Sequence, residues 1–237
     1  MLNLKSLEEF QWIKEETVSL NFDSGEGCRV FNILPNRYSH YCKILHPVYR
    51  DKNIKDETIL WNECDPNEPF YFNYGERLTF KALAEKYNLN YSKEINSSSI
   101  ANKLGGYPRY LILGDEGTTD ENTLQELFSV LKPLTNQEQC YFQYDVLKII
   151  NEFHDFQEFE HGLLYYGNLD DVLSTYHMGD FLGVGSPTYW WAEDKSWCIH
   201  TDYDSDFSLV GGNKELIDEL LSHNKLECLE VELKTKI

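Results

Sequence analysis

The stretch YWWAEDKSWCIHTDYDSD, residues 189–206, contains three of the five tryptophans in the chain and predicts the centre of the fold. Two apolar runs flank the short polar segment 193–195, as in a β-hairpin. In the second run, alternation places Trp197 and Ile199 on one face of a strand and Cys198 and His200 on the other. We therefore predict a hairpin that can bury Trp197 and Ile199 in a core.

The surrounding sequence predicts an α+β fold with a mixed, largely antiparallel sheet and helices packed on it. Strand patterns are found at 28–35, 38–47, 110–114, 139–150, 207–212 and 226–233, and residues 160–177 predict a strand, a turn and a short helix. Helical spacing of apolar residues is found at 6–16, 79–89, 97–106, 118–135 and 213–223, where Pro133 is expected to end the fourth helix. Helices and strands are mixed without strict βαβ alternation, which excludes a Rossmann fold or a TIM barrel.

The polar segment 51–76 is predicted to be a long surface loop anchored by Trp61 or Phe70. No internal repeat or clear linker divides the chain. We therefore expect one domain over residues 1–237, with a possible soft boundary between two lobes near 135–139.

The charge balance limits the classes of partner. The chain has 40 acidic and 21 basic residues and a formal net charge of −19. Such a field repels nucleic-acid phosphates and anionic membrane surfaces, and it favours a basic protein partner. No leader peptide is recognisable and no apolar run approaches the ~18 residues of a spanning helix, so we expect a cytoplasmic protein.

Motifs for phosphate or metal chemistry are weak. The glycine-rich phosphate loops and the H-E-x-x-H zinc motif are absent, and the six cysteines are scattered singly. His154, Glu158 and His161 have the spacing of one helix face and form a weak zinc alternative, but the same residues fit a solvated acidic segment. We therefore predict no cofactor.

The acids that follow the hairpin resemble the start of a calcium loop. Asp202, Asp204 and Asp206 occupy alternate positions, but Phe207 and Asn213 stand where an EF-hand needs glycine and glutamate. A looser cation site or an ordinary acidic turn remains open. Adding His46, a possible base at a strand end, gives these ligand-binding candidates: Trp190, Trp191, Trp197, His200, Asp202, Asp204 and His46.

Several blocks of the chain resemble a bacterial family of uncharacterised proteins. These blocks are ILPNRYSHYCKILHP (33–47), TLQELFSVLKPLTNQEQCYFQY (123–144), and the C-terminal half with its tryptophan hairpin, Thr-Asp-x-Asp and Val-Gly-Gly. The resemblance implies a single recurring fold and a bacterial origin. It carries no assigned activity, so it supplies no catalytic residues.

Two functions remain open. The first is a non-enzymatic acidic binding protein, for example an immunity protein that neutralises a basic toxin. The second is a small-ligand- or metal-dependent enzyme or binder that uses the tryptophan hairpin and the acidic turn at Asp202 and Asp204. The sequence favours the first because no motif for chemistry is complete. It predicts neither the substrate nor the oligomeric state.

Overall fold

The computed structural model describes residues 1–4, 6–21, 25, 27–65, 67, 69–113, 117–135, 139–145, 162–177 and 184–237. Its strands are β1 (Leu2–Leu4), β2 (His40–Leu45), β3 (Val48–Asp51), β4 (Tyr74–Leu78), β5 (Leu111–Ile112), β6 (Gln139–Tyr144), β7 (Leu163–Asn168), β8 (Tyr189–Ala192), β9 (Cys198–His200), β10 (Phe207–Gly212) and β11 (Glu227–Val231). Its helices are α1 (Gln11–Glu16), α2 (Val30–Ile33), α3 (Phe80–Tyr87), α4 (Ser97–Leu104), α5 (Glu121–Leu134), α6 (Val172–Tyr176) and α7 (Lys214–Ser222).

Two antiparallel sheets organise the described residues. Eight strands form the larger sheet in the order β1-β7-β6-β8-β9-β10-β2-β11, and three form the smaller sheet in the order β4-β3-β5. The predicted α+β class with a largely antiparallel sheet is confirmed. The larger sheet combines strands from both sides of residues 135–139; the number of domains stays a prediction.

The predicted tryptophan hairpin is present, and it forms the middle of the larger sheet. Trp190 pairs with Ile199 and Trp191 with Cys198 across β8 and β9. The connecting turn is closed by a 2.8 Å hydrogen bond from the Lys195 amide to the Ala192 carbonyl. Lys195 adopts a left-handed backbone with φ of 58°.

Each face of the larger sheet is covered by its own hydrophobic core. Trp190, Trp197 and Ile199 pack with the apolar sides of α5 and α7 on one face. Trp191 and Cys198 pack on the other face with residues of α1, α3 and α4. The alternation read from the sequence therefore separates the two cores correctly, because successive side chains of a strand point to opposite faces.

Three local predictions are wrong. Residues 28–35 contain the short helix α2 and no strand; the Arg29 amide donates to Asn32 Oδ1 at 2.9 Å and closes its first turn. Pro133 does not end the helix before it but lies inside α5, in the last turn. Segment 51–76 is not all loop, since it begins in β3 and ends in β4. Within it, Trp61 is partly buried, whereas Phe70 is 53% exposed and packs on Trp61 with ring centroids 5.1 Å apart.

The helix caps predicted from the sequence agree better with the structure. Thr79 caps α3 through its hydroxyl, and Asn213 caps α7 through its side-chain oxygen, which accepts the Leu216 amide at 2.9 Å. Gly105 ends α4 in the left-handed conformation. Across the described ranges, no helix combines the length and the apolar character that a membrane crossing requires.

Candidate functional site

The three hairpin tryptophans lie in the core. Trp190, Trp191 and Trp197 are each at most 1% exposed. Trp191 stacks on Tyr141 with ring centroids 5.2 Å apart, and Trp197 Nε1 donates to Thr135 Oγ1 at 3.0 Å. With so little open surface, these indole rings stabilise the sheet and do not form the walls of a surface cavity in this structure.

The acidic turn and His200 do share one cavity, which we call the acidic cavity. Its volume is about 260 Å³, and His200, Asp202 and Asp204 all line it. His200 is 5% exposed, and its ring centroid lies 4.2 Å from that of Tyr189. Asp202 Oδ1 accepts the Asp204 amide at 3.1 Å, as in a turn closed by its own side chain.

The third acid of the turn has a structural partner. Asp206 is 6% exposed, and its Oδ2 accepts the amide of Ser97, the first residue of α4, at 2.6 Å. A carboxylate at the start of a helix is stabilised by the helix dipole. This contact joins the acidic turn to α4 and explains why Asp206 is buried.

A buried lysine lies behind the acidic cavity. Lys43 is fully buried on β2, donates from Nζ to the Ile95 carbonyl at 2.6 Å, and lies 4.8 Å from the Phe207 ring centroid. Burial lowers the pKa of Lys43 to about 8, and the charges of Asp206 and Glu94 oppose that shift. The sequence analysis did not select Lys43, although a lysine in the middle of the apolar run HYCKIL was a usable signal.

His46 lies in a separate network. Its Nε2 is 2.9 Å from Ser208 Oγ and 3.3 Å from Thr119 Oγ1, and the Ser208 hydroxyl is 2.7 Å from that of Thr201. The pair formed by His46 and Ser208 resembles a histidine-activated serine nucleophile, but Ser208 has no exposed surface for a substrate to reach. The contacts therefore join the end of β2 to β10 and to the segment before α5.

The largest aromatic surface lies beside the smaller sheet. Nine large hydrophobic residues are exposed in the described ranges, and five of them occur here: Ile59, Phe70, Tyr71, Phe72 and Tyr74. We call the last four the aromatic patch; each is between 41% and 80% exposed. Phe72 joins Phe70 and Tyr74, because its ring centroid lies 5.2 Å from that of Phe70 and 6.3 Å from that of Tyr74. Tyr71 lines the same cavity as Phe70.

A cavity of about 600 Å³ opens beside the aromatic patch and has a rigid floor. It is lined by Trp61, Phe70, Tyr71 and Arg109 among others. The Arg109 guanidinium carbon lies 4.0 Å from the Trp61 ring centroid, and Nη1 is 3.3 Å from Oδ2 of the fully buried Asp51. The cation–π contact and the buried ion pair fix the guanidinium and the indole together.

The segment that carries the aromatic patch has an excess of acids. Segment 51–76 contains seven acidic residues and two lysines. Four of these acids are exposed in the described residues: Asp56, Glu63, Asp65 and Glu76. Asp65 also lines the cavity beside the patch. The exposed aromatic rings therefore belong to an acidic segment of the chain.

The weak zinc candidates His154, Glu158 and His161 lie outside the described residues. Within the described ranges, no three His, Cys, Asp or Glu side chains are grouped so that they could hold a metal ion. The acidic cavity therefore has carboxylates on its wall but not such a group.

The chain was compared with known proteins. No curated protein matches it. No solved structure matches it either. Residues 26–237 match the family model described as "Protein of unknown function (DUF2711)", which confirms the predicted likeness to a family without assigned activity. Because this match covers most of the sequence, the chain belongs to that family of unknown function.

Proposed function

We propose that this protein is a non-enzymatic binding protein whose aromatic patch docks a basic protein partner. The observation that carries the proposal is the group of exposed rings at Phe70, Phe72 and Tyr74, which contact one another, together with the 80% exposed ring of Tyr71. Contiguous exposed apolar surface with a polar rim is typical of protein interaction sites. Aromatic side chains supply much of the binding energy at such sites.

The charge of the patch specifies the partner. The exposed acids of segment 51–76 attract Lys and Arg side chains, and the net charge of −19 accelerates encounter with a basic protein. Lysine and arginine side chains also bind the faces of aromatic rings. An immunity protein that neutralises a basic toxin is one form of this function.

The Arg109–Asp51 pair supports the proposal through rigidity. Asp51 Oδ1 accepts the Asn53 amide at 2.9 Å while Oδ2 holds Arg109, so one buried carboxylate links the loop after β3 to the floor beneath Trp61. A surface that is ordered before binding loses less conformational entropy when the partner docks.

The test compares matched surface variants. Partners would be co-purified from the source cell, identified, and measured by calorimetry with wild-type protein, Phe70→Ser, Tyr71→Ser and Tyr203→Ser. Tyr203 is 38% exposed and lies outside the patch, so it is the control. We expect a basic protein in a 1:1 complex, a loss of affinity of about tenfold or more for each patch variant, and no change for Tyr203→Ser.

Two results would contradict the proposal. One is a purified partner that is acidic or that binds equally well at high and low salt. The other is a partner whose affinity falls no further with Tyr71→Ser than with Tyr203→Ser.

The acidic cavity supports a second candidate, a small-ligand or cation binder, because it brings His200, Asp202 and Asp204 together. A ligand or divalent ion bound there would raise the melting temperature. Replacing both Asp202 and Asp204 with Asn should abolish that rise while leaving the unliganded melting temperature nearly unchanged. A melting curve insensitive to Ca²⁺, Mn²⁺ and Zn²⁺ would exclude these ions as ligands.

A further inference from the structure

A groove with basic residues lies where the edge strands of the two sheets approach each other. Its volume is about 400 Å³, within the range of small-molecule sites. Strand β4 ends the smaller sheet and β11 ends the larger one, and residues of both line the groove. We define this basic groove by three cations, Arg77, Lys81 and Lys225, and three apolar residues, Leu45, Leu78 and Leu226.

Two of the cations have no close ion pair in the described ranges. Lys225 pairs with Glu126 at 2.6 Å. Arg77 and Lys81 are exposed and form no ion pair with any described residue, although the charge of Arg77 helps to lower the pKa of Glu126. In a chain with about twice as many acids as bases, two unpaired cations beside one cavity form a local region that attracts anions.

The acid inside the basic groove already has its own partners. Glu227 accepts the amides of Phe80 and Lys81, each at 2.7 Å, and the Tyr91 hydroxyl at 3.1 Å. These donors belong to the first turn of α3 and to the following loop. The carboxylate keeps its charge, but its oxygens are occupied by these donors and form no ion pair with the Lys81 ammonium or the Arg77 guanidinium, which remain able to bind another anion.

The remaining wall is partly apolar. Leu45 is 1% exposed and offers almost no surface, whereas Leu226 is 7% exposed and Leu78, Leu221 and Leu229 are partly buried. An inorganic anion would leave the open part of these leucines in contact with water, whereas an alkyl chain would cover it and gain hydrophobic free energy. Two cations next to leucine side chains match a ligand with a charged head and an apolar body.

We propose that the basic groove binds a small amphipathic organic anion, with its carboxylate between Arg77 and Lys81 and its apolar body against Leu78 and Leu226. The Arg77 guanidinium can hold a carboxylate through two parallel N–H···O bonds, and Lys81 adds a point charge. This site is independent of the aromatic patch and would function whether or not a protein partner docks there.

The experiment measures binding of decanoate by calorimetry. Wild-type protein is compared with Arg77→Gln, Lys81→Gln and the double variant. Lys103→Gln is the control. Lys103 is exposed on α4, and its substitution removes one positive charge at a position away from the groove. We expect saturable 1:1 binding that weakens about threefold to tenfold for each groove variant and stays unchanged for Lys103→Gln.

Two further probes separate the charged head from the apolar body. Neutral decanol should bind at least about tenfold more weakly than decanoate if the cations hold the head. Inorganic phosphate should also bind more weakly, since it cannot cover the leucines. Equal binding of phosphate and decanoate, unchanged decanoate binding in the folded double variant, or the absence of saturable binding would each overturn the proposal.

Discussion

Replacing Lys43 with methionine should remove a specific pH dependence of stability. Lys43 is fully buried, and its folded pKa of about 8 lies below the ordinary value of 10.5. Between these two pH values the unfolded chain binds more protons than the folded one, so the free energy of unfolding rises with pH. The stabilisation is lost as the pH falls through 8, because the folded protein must then bury a charged ammonium group.

The size of the effect follows from the shift of the pKa. The difference between the folded and the ordinary pKa of Lys43 corresponds to a total change of about 3 kcal/mol in the free energy of unfolding. About 2 kcal/mol of this change develops between roughly pH 7 and pH 9.5. Lys43→Met has nearly the same shape but no titrating group. The wild-type protein should therefore gain about 2 kcal/mol relative to the variant over that interval.

The assay is urea unfolding followed by tryptophan fluorescence at the two pH values under reducing conditions. Tyrosine and cysteine residues titrate in both proteins, so their contributions cancel in the difference between wild type and variant. Asp206 and Glu94 are the carboxylates whose charges act on Lys43, and the substitution leaves both unchanged. A difference in unfolding free energy that is the same at both pH values would refute the reasoning.

Two further substitutions test the local contacts by urea unfolding at neutral pH. Glu227→Gln should lower the free energy of unfolding by about 1–2 kcal/mol, because it removes the negative charge held by the Phe80 and Lys81 amides. Glu230 is exposed on the same strand, so Glu230→Gln should change the free energy of unfolding little. Equal losses for the two variants would contradict the capping role of Glu227. Gly105→Ala should cost about 1 kcal/mol through backbone strain alone, since the residue has a φ of +82° and an added methyl would meet no atom within 4 Å; a loss of several kcal/mol would show that the site is not open.

The features predicted correctly from the sequence depend on near neighbours. The Thr79 and Asn213 caps, the end of α4 at Gly105 and the alternation of the tryptophan hairpin are each decided within a few residues. The error at 28–35 has both a local and a long-range origin. A short run such as VFNI fits a strand or one helical turn. The helical turn is held by the contact between Arg29 and Asn32 and by hydrogen bonds from the Val30 and Phe31 amides to the distant Thr235 and Leu233 carbonyls.

The candidate sites depend on distant parts of the chain, so the sequence revealed them only in part. His200, Asp202 and Asp204 were found because they are close in the sequence. The basic groove joins Arg77 to Lys225, and Lys43 meets the carbonyl of Ile95, so neither arrangement has a local pattern. The burial of the tryptophans could not be separated from ligand stacking, because both roles use the same residue type.

The position of β2 in the larger sheet has a consequence for the order of folding. This strand lies near the start of the chain, yet both strands that flank it, β10 and β11, lie near the end. During synthesis, the apolar run HYCKIL therefore leaves the ribosome long before its partners exist. Contacts between distant segments slow folding, and unpaired apolar strands favour aggregation. Refolding of this protein should accordingly be slow, and its yield should fall as protein concentration rises.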